Sequence, residues 1–475
     1  LDIILAGKSV DGKKAAKLGL VDECVPAPML EDYALKFTQD IIAKGAKKRR
    51  KKFSPKGAPN VFLESFLGRP IVFSQARKAV LKQTQGHYPA PLKALDVIQK
   101  TYGMSNREKA LAIEAEGFGT VAATDVSKNL INLFFMMEAV KKQTGVADKS
   151  VKPKKVQKIA VLGAGTMGGG IAQLGADRGF EVRMKDINNS AIALGFEHAA
   201  KIWKKLVERR KITKFEFEQK MDRISGGTTY DGFKTVDVVV EAIVEDLEIK
   251  KKVLAETYKN CKPDVVLATN TSSLSVNDMS VALEKPENFV GMHFFNPVHK
   301  MPLVEVVRGT KTCDEAVATI FDLCKKMGKT PVVMKDGPGF LVNRLLLPYL
   351  NEAVFLLEEG HSVEDIDKAF LKFGMPMGPL HLIDEIGIDV AVKVAKIFHK
   401  AFGDRAKPSS VMVKTGESGR LGKKNKKGFY HYDEKGYKGA VDNSVYKDLG
   451  LSAPTKKLDP KVAVDRGVYA MINEA

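Results

Sequence analysis

The sequence has 475 residues, 44% hydrophobic and 28% charged, with a formal net charge of +19. That length accommodates about three domains, and that apolar content supports packed cores, which excludes a disordered chain. No apolar run approaches the ~18 residues of a membrane span, no signal peptide is evident, and the cysteines (Cys24, Cys261, Cys313, Cys324) lack paired or metal-type spacing, which suits a reducing compartment. In chain order, residues 8–17 carry helix formers ahead of Gly19-Leu20-Val21-Asp22. The run KKRRKK at 47–52, followed by Pro55, Gly57 and Pro59, has linker composition. It reads as a solvated linker, or as a site for nucleic acid, an anionic membrane surface or a phosphorylated substrate. No aromatic interleaving, zinc spacing or nucleic-acid module accompanies it, so no nucleic-acid partner is expected. Residues 61–150 read as helical, and 125–142 place Leu130, Leu133, Phe134, Met137 and Val140 on one face, a packing stripe. The chain starts at Leu1 in mid-pattern, and the expectation is a fragment.

Residues 158–186 organise the rest. An apolar run at 159–162 leads into Gly163-Ala164-Gly165-Thr166-Met167-Gly168. Ile171, Leu174 and Ala176 then keep helical spacing up to Gly179, and a second strand at 180–184 ends at Asp186. Strand, glycine turn, helix, strand and acid form the context of a dinucleotide-binding fingerprint. Gly163 permits the tight turn, Gly165 lets backbone approach a pyrophosphate, and Gly168 lets the helix pack on the strand. The helix N-terminus offers free N–H groups to the phosphates. Asp186 is placed to accept from ribose hydroxyls and to repel a 2′-phosphate; no Arg follows it, so NAD is expected over NADP.

Residues 190–221 are helical in pattern and too long for one crossover, which predicts an inserted helix pair. Strands are predicted at 236–243, 265–271, 289–295, 303–307 and 330–334. After Asp336-Gly337-Pro338-Gly339 the pattern turns to helix at 340–359, 363–373 and 380–398. A faint repeat relates residues 344–353 (RLLLPYLNEA) to 466–475 (RGVYAMINEA).

His293 lies at a strand end among aromatics, where its pKa is set by its surroundings. Glu305, twelve residues on, falls within an apolar strand, where a carboxylate needs a partner. Taken singly, these read as a satisfied core histidine and an edge-strand glutamate. Together, downstream of a dinucleotide fold, they read as an oriented general base. His87, His198, His299, His361, His381, His399 and His431 show no such setting, and no metal site is expected.

Two resemblances add to this. Residues 1–26 (LDIILAGKSVDGKKAAKLGLVDECVP) resemble the C-terminal part of the crotonase (enoyl-CoA hydratase) fold. That family's oxyanion donors and two glutamates lie upstream of this passage, so no hydratase residue is carried over. GAGTMGGG, VVVEAIVE, NTSS, GMHFFNPV, MPLVEVV and DGPGFLVNRLL occur in this order in 3-hydroxyacyl-CoA dehydrogenases, a resemblance covering residues ~155–475. A crotonase tail followed by a dehydrogenase resembles the α subunits of multifunctional fatty-acid oxidation complexes.

The resemblance implies an α/β Rossmann domain (doubly wound, mostly parallel sheet) plus an all-α C-terminal domain, preceded by a truncated crotonase helical region. The expected divisions are 1–60 (crotonase remnant and linker), 61–153 (helical linker), 154–336 (NAD-binding) and 337–475 (helical, second repeat incomplete). It implies NAD-dependent oxidation of L-3-hydroxyacyl-CoA to 3-ketoacyl-CoA, with His293 as base and Glu305 as its partner. Ser272 and Asn343 would bind substrate, although Asn343 on its own reads better as a helix cap. Met167, Asp186, Ile243, Val244, Glu245, Lys250, Ser272 and Asn296 would line the NAD site, with Lys250 on ribose or phosphate. Implied partners are an acyl-CoA substrate, a thiolase subunit in a heterotetramer and/or a second copy through the helical domain. The implied location is a bacterial cytoplasm or a mitochondrial matrix. The rival readings are another hydroxyacid or sugar-acid dehydrogenase, against which His293 speaks because those typically use a Lys base, and a silent scaffold docking a thiolase.

Overall fold

The computed structural model describes residues 1–44 and 57–475, and the basic run at 47–52 lies outside the described residues. The chain divides into two compact units, 1–134 and 135–475. The first is helical among its described residues, including Gly12–Leu18, Leu30–Lys44, Gly68–Thr84, Pro89–Thr101 and Arg107–Ala122. Its core is small: Ala15, Phe73 and Leu95 are buried, while Phe66 is 88% exposed. The helix Asp125–Lys142 forms as predicted, but no residue of it is buried, contrary to the expected packing stripe.

The second unit is built on strands β1 (Lys158–Leu162), β2 (Glu181–Lys185), β3 (Ile224–Gly227), β4 (Val238–Glu241), β5 (Val266–Thr269), β6 (Phe289–Phe294), β7 (Leu303–Arg308) and β8 (Thr330–Lys335). They pair in the order β3-β2-β1-β4-β5-β6-β7-β8, all parallel except β6 with β7. The helices between them are α1 (Thr166–Asp177), α2 (Asn189–Glu208), α3 (Lys214–Met221), α4 (Leu247–Asn260), α5 (Val276–Ser280) and α6 (Asp314–Lys326). α2 and α3 are the predicted helix pair. Thr213 starts α3 with a capping box, its hydroxyl accepting from Glu216 N–H while Glu216 accepts from Thr213 N–H.

Both faces of the sheet are covered, so its strands read as continuous apolar runs rather than alternating ones. Ile159 and Val161 face a core with Ile171, Trp203, Val317 and Ile320. Ala160 and Leu162 face the other side, with Leu254, Val276 and Met279. Each buried Val or Leu contributes roughly 1.5–3 kcal/mol. Trp203, fully buried, donates its indole N–H to Asp177 at 3.0 Å, so its polar edge is satisfied. β3 carries no strand signal of its own: Ile-Ser-Gly-Gly has one β-branched residue, and pairing with β2 makes it a strand.

The remainder comprises α7 (Val342–Glu358), α8 (Val363–Phe373), α9 (Pro379–Ile386), α10 (Ile388–Phe402), α11 (Ser410–Glu417), a hairpin of β9 (Tyr430–Tyr432) and β10 (Lys438–Val441), α12 (Ser444–Asp448) and α13 (Pro460–Glu474). The single helix expected over 380–398 is two, because Gly387 takes φ 100 and ψ 125, outside the helical region. This part is helical as expected, with the short two-stranded hairpin set among the helices. The two repeat copies, α7 and α13, pack together and exchange partners: Arg344 binds Glu474 at 2.5 Å, and Arg466 binds Glu352 at 3.0 Å. These are equivalent positions of the repeat, so the contact is self-complementary.

Asp384 lies fully buried where the hairpin meets α9, accepting from the Phe429 and Tyr430 amides and the Tyr432 hydroxyl. Burial lifts its carboxyl from 3.8 to about 6, against those hydrogen bonds. The folded state therefore holds this proton more tightly than the unfolded chain. The stability it contributes is full below pH 3.8 and lost as pH rises through about 6. Between pH 7 and 5 the wild type should gain thermal stability relative to Asp384→Asn; parallel melting curves for the two would contradict this.

Candidate active site

The site is assembled where the parallel strands end. β1 runs into Gly163, whose φ of 89 turns the chain, and a Cβ there would stand 2.6 Å from the Ala242 carbonyl oxygen. A Cβ on Gly168 would stand 1.8 Å from the Gly163 oxygen, so α1 can start this close to the turn only with glycine. At Gly165 a Cβ would meet nothing within 4 Å, and Gly165 and Thr166 are exposed. α1 has no side-chain cap, so its first-turn amides are open to an anionic ligand. Asp186 accepts from Ala164 N–H and Ile187 N–H, both at 2.6 Å, which fixes its carboxylate beside the glycine turn. These features fit a dinucleotide: open backbone donors at a helix start and a carboxylate one strand away.

Past β4, Ile243 is half-buried, and Val244 is exposed. Glu245 Oε1 gathers Thr271 Oγ1 (2.6 Å), Ser272 N–H (2.9 Å), Ser272 Oγ (3.3 Å) and Ser273 N–H (3.3 Å). Burial would raise its carboxyl, but the Lys250 charge and the Thr271 and Ser272 hydrogen bonds outweigh that and hold it below the usual range. Lys250, expected to meet ribose or phosphate, is fully buried. Its ammonium lies 2.7 Å from Glu241 and 3.4 Å from Glu245, so in this conformation it has no surface to offer a ligand. It neutralises Glu241, itself fully buried, and steadies Glu245. Glu241 also accepts from Thr269 Oγ1 at 2.7 Å. Neither Glu241 nor Thr271 stands out in the sequence by pattern, although an acid closing the run Val238-Val239-Val240 is a signal that a partner must lie near.

β6 and β7 form the antiparallel pair, and their register sets His293 directly opposite Glu305. His293 Nδ1 lies 2.5 Å from Glu305 Oε2. The other carboxylate oxygen accepts from Leu341 N–H (3.0 Å) and Val342 N–H (2.8 Å), at the start of α7. Phe295 and Phe340 flank the imidazole at ring distances of 4.6 and 5.7 Å. With Nδ1 on a carboxylate, Nε2 is the nitrogen left to accept a proton. Asn343, in the first turn of α7, does not cap it; its Nδ2 donates to the Ser272 carbonyl at 3.2 Å. Asn296 is exposed three residues beyond His293. One chain of contacts thus runs from Glu241 through Lys250, Glu245, Ser272 and Asn343 to the first turn of α7, and on to Glu305 and His293. Gly163, packed against Ala242, and Asp186, bound to Ala164, adjoin its first end. Met167 is half-buried in the first turn of α1. A cavity of about 750 Å³ lined by Val140, Gly145, Phe321 and Val333 shares none of these residues.

Residues 158–337 match the family profile described as 3-hydroxyacyl-CoA dehydrogenase, NAD binding domain, and 339–432 match 3-hydroxyacyl-CoA dehydrogenase, C-terminal domain. Over its whole length the chain is 43% identical to the fatty acid oxidation complex subunit alpha of Shewanella amazonensis, and it spans 66% of that protein's length. Among solved structures, it is similar to an (S)-3-hydroxybutyryl-CoA dehydrogenase from Ralstonia eutropha, at 38% identity and a TM-score of 0.58, over 59% of this chain and 100% of that one. It is also similar to a 3-hydroxybutyryl-CoA dehydrogenase from Escherichia coli, at 39% identity and a TM-score of 0.57, over 61% of each chain.

Proposed function

The chain belongs to the 3-hydroxyacyl-CoA dehydrogenase family, and we propose that it oxidises L-3-hydroxyacyl-CoA to 3-ketoacyl-CoA with NAD, as the dehydrogenase part of a longer fatty-acid oxidation protein. The reading rests on one observation: the buried His293–Glu305 pair, tied through the first turn of α7 to Asn343 and Ser272.

Residues 154–336 supply the cofactor face, and 337–475 supply the other wall of the site. The first-turn amides of α1 would hold the pyrophosphate and Asp186 the ribose hydroxyls, with Met167, Ile243, Val244, Glu245 and Asn296 alongside. NAD, when bound, supplies the hydride acceptor. His293 Nε2 takes the proton of the 3-hydroxyl as the hydrogen on C3 departs as hydride. Glu305 stabilises the imidazolium that results. The Ser272 hydroxyl and Asn343 amide fix the reacting C–O bond, and the Phe295 and Phe340 rings flank the base. Lys250 acts from beneath, holding Glu245 and through it the Ser272 backbone.

The name of the relative implies a complex, and a thiolase subunit is the partner proposed here, with a second copy through the helical part as the other arrangement. No helix among the described residues is long and apolar enough to cross a membrane. A cytoplasmic location is proposed. The direct test is NADH consumption by the purified chain on adding acetoacetyl-CoA, with NADPH a poor substitute. No consumption above a His293→Gln control would sink the reading.

A further inference from the structure

Glu305 is fully buried, and its two oxygens serve different elements. One faces His293 on β6; the other accepts the Leu341 and Val342 amides. The first amides of a helix have no acceptor within it, and α7 has no side-chain cap of its own. The carboxylate that steadies the base is therefore also what satisfies the start of α7, and two donors fix its plane.

For those amides to point at β7, the chain must turn sharply just before α7. Gly339 and Phe340 make the turn, with φ of +74 and +53, both left-handed. Glycine adopts that region freely, whereas a bulky aromatic residue does so rarely and at a cost in conformational energy. The cost is offset by packing. Phe340 is 6% exposed, belongs to the apolar cluster with Val239, Leu267 and Val307, and sets its ring 5.7 Å from that of His293.

We propose that Phe340 is a positioning residue for the base: its left-handed backbone aims the Leu341 and Val342 amides at Glu305, and its ring closes one side of His293. This rests on the reading of His293 as the base. The two contributions separate by substitution, because glycine keeps the left-handed backbone without the ring, whereas a β-branched side chain resists that backbone and also lacks the ring.

Phe340→Gly and Phe340→Val are compared for kcat of acetoacetyl-CoA reduction and for NADH affinity by fluorescence titration, with folding checked by circular dichroism. NADH affinity should stay within about twofold of wild type in both, since the groups assigned to the pyrophosphate and ribose follow β1 and β2, away from Phe340. The Gly variant should lose roughly tenfold or less in kcat and the Val variant about a hundredfold, within the range a general base commands. Equal losses, or a loss that appears in NADH affinity rather than kcat, would overturn the proposal. Should Phe340→Val fail to fold, replacing Val342 by its α-hydroxy acid removes that N–H donor to Glu305 and sets an ester oxygen in its place, with every side chain kept. A roughly tenfold fall in kcat is then expected, and an unchanged kcat overturns the proposal. A wild-type protein inactive on acetoacetyl-CoA would remove the reading beneath it as well, a result distinct from an active wild type with indifferent variants.

Discussion

His293→Gln should leave NADH affinity within about twofold of wild type while turnover on acetoacetyl-CoA falls by ~10²–10⁴. Glutamine is close to histidine in size, and its amide can still donate to Glu305, so the carboxylate keeps a partner and the α7 amides keep their acceptor. What disappears is the imidazole nitrogen that accepts and returns the reacting proton. In the reducing direction this removes the donor to the forming 3-hydroxyl; in the oxidising direction it removes the acceptor. Cofactor affinity should not follow, because the glycine turn and Asp186 lie just past the ends of β1 and β2. Stopped-flow turnover together with a fluorescence titration of NADH separates the two quantities. A variant retaining more than a tenth of wild-type turnover would show that the proton comes from another group.

The glycine turn is legible in the sequence because its spacing is the mechanism: a positive φ at Gly163 and a 1.8 Å clash at Gly168 leave little choice of residue. The contact between His293 and Glu305 is legible for a similar reason. A buried carboxylate demands a partner, and a separation of twelve positions lets two antiparallel strands place the residues opposite each other. The surroundings of Lys250 are beyond such reasoning. A lysine on a helix after a strand reads as solvent-reachable, and only the fold puts Glu241 and Glu245 around it. Nor does the sequence mark Phe340, since a phenylalanine carries no sign of positive φ. β3 and β10 escape for a third reason: their strand character comes from the neighbour they pair with more than from their own residues, while β9 is aromatic but only three residues long.

Arg420 is the most consequential residue that pattern alone would pass over, since an arginine in a Gly/Ser-rich stretch reads as solvated loop. It is fully buried. Its guanidinium donates to the Gly428 carbonyl (2.6 Å), Asp442 (2.8 Å), Ser444 Oγ (2.5 Å) and Asp448 (3.1 and 2.6 Å). Asp442, 3% exposed, relies on it: burial would raise that carboxyl, and the Ser444 and Arg420 hydrogen bonds hold it below the usual range instead. Arg420→Met fills the space but takes the guanidinium from the buried Asp442 carboxylate, which keeps only its Ser444 hydrogen bonds, and leaves the Gly428 carbonyl unpaired, at a cost of about 3–5 kcal/mol. By comparison, Lys424→Ala removes an ion pair with Asp389 whose partners are both 47% exposed, a loss of roughly 0–1 kcal/mol. Since domains are stable by only ~5–15 kcal/mol, the first change should remove a large share of the helical part's stability and the second should pass unnoticed. The two effects should also divide the function. α7, whose first turn holds Glu305, packs within the same core as the segment Arg420 secures, whereas the glycine turn does not. Urea titration of Arg420→Met should therefore show acetoacetyl-CoA turnover failing at lower urea than NADH binding, while coincident loss of both, at a midpoint like that of Lys424→Ala, would contradict the role assigned to this side chain.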